Sequence, residues 1–175
     1  MNTIIALFRG INVGGKNIIR MFELKQILED QGLKNIKTYI QSGNVVFQTK
    51  NEKLPKLEKE IRIAINKKFG FEPRILFLKQ SELKAIIDAN PFDAEDSKSQ
   101  HFFFLDSVPT NIDVSKLNSI KSDTEKYVLD GKVFYLFAPD GIGRSKLASR
   151  VEKLLGVATT ARNKNTVERI LHLIT

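Results

Sequence analysis

Strand-like and helix-like patterns alternate along residues 1–80 in an order that few folds accommodate. Apolar residues recur at helical spacing over 21–28 and 54–65, whereas residues 34–41 alternate between apolar and polar side chains. The predicted strands are Ile4–Phe8, Lys34–Gln41, Val45–Thr49 and Arg74–Leu78, and the two helices follow the first and the third of them. This βαββαβ order predicts an α+β fold, with a ferredoxin-like sandwich at residues 1–80.

The rest of the chain predicts a connecting segment and then a smaller α/β subdomain. Residues 81–100 are read as a helix and a surface linker, the linker being the acidic, serine-containing stretch Asp93–Ser99. The subdomain is expected at residues 101–175. Its predicted elements are a strand at His101–Asp106, a helix at Val114–Ile120, a hairpin with its turn at Asp130–Gly131, and two terminal helices that open near residues 140 and 160.

The first strand also predicts how its sheet is covered. Every residue of Ile4–Phe8 is apolar, a pattern typical of a strand that is buried on both faces. A ferredoxin-like sheet carries its helices on one face only. We therefore expect the second half of the chain, or a partner subunit, to cover the other face.

The charge balance favours an anionic partner. The 28 Lys and Arg residues outnumber the 20 Asp and Glu residues and give a net charge of +8, which attracts anions without choosing between a nucleic acid, a nucleotide and a membrane surface. Nucleic acid is weakly supported, because the third predicted strand lacks the stacked aromatic residues of an RNA-recognition motif.

Several classes of site are excluded by residues that the sequence lacks. It contains no cysteine, which rules out disulfides, thiolate metal sites and cysteine nucleophiles and indicates a reducing, cytoplasmic compartment. The apolar run Ile4–Phe8 is too short to span a bilayer, so no membrane partner is expected. Glu168 and His172 are spaced as a helical surface pair. We expect neither a metal nor a cofactor, no catalytic residue can be named, and the oligomeric state stays open.

A glycine-rich segment follows the first strand. Residues 10–17 read Gly-Ile-Asn-Val-Gly-Gly-Lys-Asn, which fits the phosphate-loop pattern except at Asn17, where that motif needs a hydroxyl. We reject a true phosphate loop because that motif requires a parallel sheet, and a hairpin follows here within one helix. Two interpretations stay open: an anion-binding nest flanked by Arg9 and Lys16, and glycines needed only for a tight turn.

Topology predicts which loops lie beside this segment. In a βαββαβ sheet the third strand lies between the first two, so the loop after strand one and the turn after strand two emerge at the same edge. Arg9–Asn17 should therefore lie beside Gln41–Asn44, and both segments are rich in hydrogen-bonding groups. The alternative is that Ser42 and Gly43 simply form a good turn.

Polar residues also concentrate near the two expected terminal helices. Helix N-termini attract anions, and Arg144, Lys146, Arg162 and Lys164 lie where these helices are predicted to begin. The alternatives are surface placement by chance for the basic residues and simple N-caps for Thr160 or Asn163.

Three blocks carry a family resemblance: Ala6–Gly15 with Met21, Thr38–Phe47, and Thr160–Val167. In these blocks the chain resembles a bacterial family of uncharacterised proteins, domain-of-unknown-function family 1697. The resemblance implies a ferredoxin-like domain with a second α/β part and brings no established reaction or ligand. Many relatives resemble Arg-Asn-Trp-Asn-Thr where this chain has Lys164 in place of the aromatic residue.

These observations lead to three hypotheses. The first is a small cytoplasmic protein that binds a phosphate-bearing or other anionic small molecule. The second is a nucleic-acid-associated protein, and the third is an enzyme whose site lies in a cleft between the two domains. The candidate ligand-binding residues are Arg9, Asn12, Lys16, Gln41, Ser42, Asn44, Arg144, Arg162, Asn163 and Asn165.

Overall fold

The computed structural model describes residues 1–92 and 96–174, so the first three residues of the expected linker, 93–95, lie outside the described residues. The chain forms two compact units. The first unit combines Met1–Ala85 with Arg169–Thr175, and the second is the continuous stretch Ile86–Glu168. No helix within the described ranges has the length and apolarity needed to cross a membrane.

The first unit contains the predicted ferredoxin-like sheet. Its elements are β1 (Asn2–Arg9), α1 (Met21–Asp30), β2 (Lys34–Tyr39), β3 (Asn44–Thr49), α2 (Leu54–Phe69), β4 (Arg74–Lys79) and the start of α3 (Gln80–Asp88). The strands form one antiparallel sheet in the order β2-β3-β1-β4. This order places β3 between β1 and β2 and confirms the α+β prediction.

The core of the first unit lies between the sheet and its two crossover helices. Alternate residues of the central strands, including Ile4, Phe8 and Phe47, are buried there with residues of α1 and α2. The helix α2 has Pro55 in its first turn and is capped at its C-terminus by Gly70, whose φ of 80° favours glycine. The apolar residues that recur at helical spacing thus form the buried face of α2, with Leu57, Ile61 and Ile65 inside the core.

The helix-free face of this sheet is also buried at its centre. Ile5 is fully buried in the single chain. The segment that follows α6 supplies part of the cover, because Lys37 Nζ donates a 2.7 Å hydrogen bond to the carbonyl oxygen of Leu173. Leu173 and Ile174 line a cavity of about 330 Å³ together with Thr3, Lys37 and Val46. Residues from the second half of the sequence therefore cover part of this face, as expected.

The second unit repeats the topology of the first. Its elements are β5 (Gln100–Leu105), α4 (Val114–Ile120), β6 (Lys126–Asp130), β7 (Val133–Phe137), α5 (Val151–Leu155), β8 (Thr159–Asn163) and α6 (Lys164–His172), which continues into the first unit. The antiparallel order β6-β7-β5-β8 matches β2-β3-β1-β4 position by position. One hydrogen bond recurs as well: Phe8 N donates to Gly43 O, and Leu105 N donates to Lys132 O, each at 2.8 Å.

The prediction of two terminal helices is wrong in part. Thr159–Asn163 is the edge strand β8, paired with β5, and the last helix begins only at Lys164. Near residue 140 the chain forms two short 3-10 helices, Ile142–Arg144 and Ala148–Arg150, before the five-residue α5. The core of this unit is aromatic: Phe134 packs edge-on against Phe103 and stacks on Tyr127.

Candidate functional site

The glycines of the β1–α1 loop, residues 10–20, form a tight turn. Lys16 N donates to Val13 O at 3.0 Å across Gly14 and Gly15, whose φ angles are 57° and 71°. Two successive positive φ angles define the turn preferred in two-residue hairpins. The loop also differs from a phosphate loop, because Lys16 lies five residues before α1 and every described strand pair is antiparallel.

Asn12 clamps this loop to the neighbouring turn. Its Nδ2 donates to Ile19 O at 2.9 Å and to Gln41 O at 2.8 Å, and its Oδ1 accepts from Ile19 N at 2.8 Å. Asn17 closes the base of the loop through a 2.8 Å bond from Nδ2 to Gly10 O. The expected neighbourhood of Arg9–Asn17 and Gln41–Asn44 is therefore confirmed.

The β2–β3 turn, residues 40–43, is also fixed, by close packing at Gly43 and by hydrogen bonds from Asn44. Gly43 has a φ of 76°, and a Cβ built on it would lie 2.5 Å from Phe8 Cβ and 2.9 Å from Ile11 Cδ1. Asn44 is buried, and its Nδ2 donates to Ser42 Oγ at 2.8 Å and to Tyr39 O at 3.2 Å. Gly43 and Asn44 thus shape the turn.

Basic side chains lie at the same end of the sheet. The register of β1 and β4 places Arg9 directly opposite Arg74, and both residues are exposed. Directly opposite residues of neighbouring strands have Cβ atoms about 5 Å apart, so the register places two cationic side chains next to each other. Lys16 in the loop and Arg20, the residue before α1, are also exposed. We refer to Arg9 and Arg74 as the arginine pair.

Sequence reasoning did not find Arg74. The signal was available, because a βαββαβ sheet places its fourth strand beside the first, and Arg74 opens that strand. What was missing was the exact register, which determines that Arg74 faces Arg9 instead of lying one residue away on the other face.

In the second unit, Arg144 lies at a cavity and not at the start of an α-helix, so the predicted helix N-terminus at this point is wrong. The cavity has a volume of about 320 Å³ and is lined by Arg144, Lys146, Ser122, Glu125 and Asp140, among others. Asp140 Oδ2 accepts a 2.6 Å hydrogen bond from Thr124 Oγ1, and Glu125 Oε2 accepts from Ser122 N at 2.9 Å.

The other candidates in this unit lie where β8 meets α6. Burial lowers the pKa of Arg162 to about 10, and its Nη1 donates to Ala161 O at 2.8 Å. Asn163 Oδ1 accepts from Thr166 N at 2.8 Å, which is the N-cap role held open as an alternative. Asn165 Oδ1 accepts from Ser97 Oγ at 2.5 Å. Asn163 therefore caps the start of α6, and Asn165 ties its first turn to Ser97.

The ten predicted site residues divide between the two units. The structure brings Arg9, Asn12, Lys16 and the Gln41–Asn44 segment together in the first unit, and it places Arg144 and the β8–α6 residues in the second. In the described part of the chain, no three His, Asp or Glu side chains are grouped as metal ligands would be.

The fold and this site define a protein of two ferredoxin-like units with a clamped, basic loop at one sheet end. A family model described as "Protein of unknown function (DUF1697)" matches residues 1–135, and the chain belongs to this family. It is also similar to the solved structure of the conserved bacterial protein SP0830 from Streptococcus pneumoniae, at 23% identity and a TM-score of 0.74 over 99% of each chain. That likeness shows the fold. A comparison with curated proteins gives no match.

Proposed function

We propose that the protein binds a phosphate-bearing small molecule at the basic end of its first sheet. The observation that carries this proposal is the arginine pair beside the clamped β1–α1 loop. Two arginines at directly opposite positions of neighbouring strands offer N–H donors that fit the oxygens of a phosphate. Lys16 and Gln41, both exposed, would supply further donors.

The residues around this end divide into contacting and positioning groups. Arg9, Arg74, Lys16 and Gln41 are exposed and would contact the ligand. The amide of Asn12 is engaged with Ile19 and Gln41, so it would position the loop. A loop that is already ordered loses little entropy on binding, which favours affinity.

A thermal-shift titration tests this proposal. The full chain is heated with nucleotides, phosphosugars, inorganic phosphate, polyphosphate and short RNA, each at low and at high salt, because a ligand that binds only the native state raises the melting temperature. We expect a shift with a small phosphate ligand that persists at high salt. A charge-assisted hydrogen bond contributes about 1.5–3 kcal/mol, so Arg9→Gln or Arg74→Gln should weaken binding about 10-fold or more.

Arg150→Gln is the matched control, since Arg150 is an exposed arginine of the second unit. Equal weakening by all three substitutions would show a general charge effect and would contradict the proposed site. Shifts with RNA or polyphosphate alone, lost steeply as salt rises, would favour the nucleic-acid hypothesis instead. The lack of cysteine supports a cytoplasmic location for this binding protein.

A further inference from the structure

Large apolar side chains are exposed around the β1–α1 loop. Val13, Ile18, Phe22 and Ile40 are 65%, 56%, 66% and 54% exposed. The Asn12 amide bonds to Ile19 O and to Gln41 O, so the neighbours Ile18 and Ile40 belong to backbone segments held side by side. Phe22 lies in the first turn of α1, four residues beyond Ile18. We call these four residues the apolar patch.

Ile40 is strained as well as exposed. Its φ of 50° lies in the left-handed region, which is unfavourable for a β-branched residue. Asparagine adopts this conformation more readily. Because the Ile40 side chain is half exposed, its burial does little to offset the backbone strain. Strained residues of this kind concentrate at functional sites. An isoleucine at this position is therefore explained better by a contact with another molecule than by the stability of the fold.

The charge beside the patch selects the kind of partner. Residues 9–20 contain Arg9, Lys16 and Arg20 and no acidic residue. A second copy of this chain docking through the same patch would bring its own three cations to face these. The hydrogen bonds of Asn12 hold the segments of Ile18 and Ile40 side by side, and a preorganised surface favours a partner of defined shape over a fluid bilayer.

We propose that the apolar patch docks a segment of another protein that carries both apolar and acidic side chains. This interaction surface goes beyond the proposed anion site, because its apolar contacts depend on Phe22 and Ile40, which the anion site does not use. The apolar side chains of the partner would cover the patch, while its carboxylates would face the cations of the loop.

Selection from a random peptide display library tests this surface. The library is panned against the full chain, and the most enriched sequences are made as synthetic peptides whose affinities are measured by fluorescence anisotropy. We expect the enriched peptides to combine Asp or Glu with aromatic or aliphatic residues. Phe22→Gln and Ile40→Asn should each weaken their binding about 10-fold or more, whereas Ile63→Gln should not. Ile63 is the matched control because it is 52% exposed on α2 of the same unit.

Ile40→Asn keeps this experiment decisive, since asparagine tolerates the left-handed backbone and the variant should fold at least as well as the parent chain. Retained peptide binding in both patch variants would overturn the proposal. So would a lack of enrichment accompanied by binding of the parent chain to vesicles of phosphatidylglycerol, or by a dimer in sedimentation that Phe22→Gln dissociates. Loss of phosphate binding in Arg9→Gln is a separate result, so the two proposals fail independently.

Discussion

Asn12 uses both ends of its side-chain amide to join the β1–α1 loop to the β2–β3 turn. We expect Asn12→Ala to lower the free energy of unfolding by about 2–4 kcal/mol, since three hydrogen bonds of about 1 kcal/mol each are lost. Asn17→Ala is the control, because its backbone is also left-handed (φ 52°) and its amide donates to Gly10 O. That change should cost about 1–2 kcal/mol. Urea denaturation measures both, and equal losses would contradict the clamp.

Gly43 provides a second test at the level of a single residue. An alanine there would meet Phe8 Cβ at 2.5 Å and would also hold a φ of 76°. We expect Gly43→Ala to destabilise the fold by about 2–4 kcal/mol through overlap and backbone strain. Gly14→Ala has a similar φ and no atom within 4 Å of the added carbon, so only the strain of about 1 kcal/mol applies. Similar urea midpoints for the two variants would show that the contact with Phe8 is unimportant.

For single residues, the sequence predicts which segments meet at the site better than it predicts the contacts that their side chains make. The βαββαβ order is enough to bring Gln41 beside the glycine-rich loop, because it fixes which strand ends share an edge. It does not show that the amide of Asn12 is already engaged or that Arg74 faces Arg9. Both depend on the register and on side-chain geometry within the folded unit.

Among the elements, β8 shows where local patterns fail. Thr159–Asn163 is polar and precedes a helical pattern, so it resembles the start of a helix, yet it pairs with β5 at the edge of the second sheet. Pairing with a buried strand overrides a weak local preference. The short α5 conceals the repeated topology of the two units in the sequence. Five residues of helix and two short 3-10 helices stand where the first unit has the long crossover helix α2. The hairpin of β6 and β7 was predictable because Asp130–Gly131 is a strong turn signal.

The strand β7 carries a pH-dependent contact. Tyr135 Oη donates a 2.8 Å hydrogen bond to Ile86 O, and burial, with a smaller effect of the Asp130 carboxylate, raises the pKa of Tyr135 to about 12. The unfolded tyrosine has a pKa of about 10. Its contribution to stability is therefore complete below about pH 10 and is lost as the pH rises towards 12.

Tyr135→Phe makes this dependence measurable. At about pH 8 the variant should be less stable than the parent chain by about 1 kcal/mol, because it lacks the hydrogen bond to Ile86. At about pH 11 the difference should shrink or reverse, since phenylalanine does not ionise on unfolding. Urea midpoints of both chains at the two pH values test this, and a difference independent of pH would exclude Tyr135 as the titrating group.

At the scale of the whole molecule, residues 169–175 belong to the first unit although the second unit separates them from Ala85. Truncation after His172 removes Leu173 and Ile174 from the helix-free face of the first sheet. We expect faster amide hydrogen exchange in β2 and β3 and unchanged exchange in β5 and β7. Lys37→Met, which removes only the hydrogen bond to Leu173, should show a smaller effect of the same kind. Uniform acceleration across both sheets would contradict this assignment.

The discontinuous first unit also determines the order in which folding can finish during translation. A ribosome delivers Met1–Ala85 first, but the complementary segment Arg169–Thr175 emerges only after Ile86–Glu168 has been synthesised. N-terminal domains usually fold first on the ribosome. In this protein the second unit is the first to be available in full, and a nascent chain stalled before Arg169 would leave the Val46 face of its first sheet without Leu173 and Ile174.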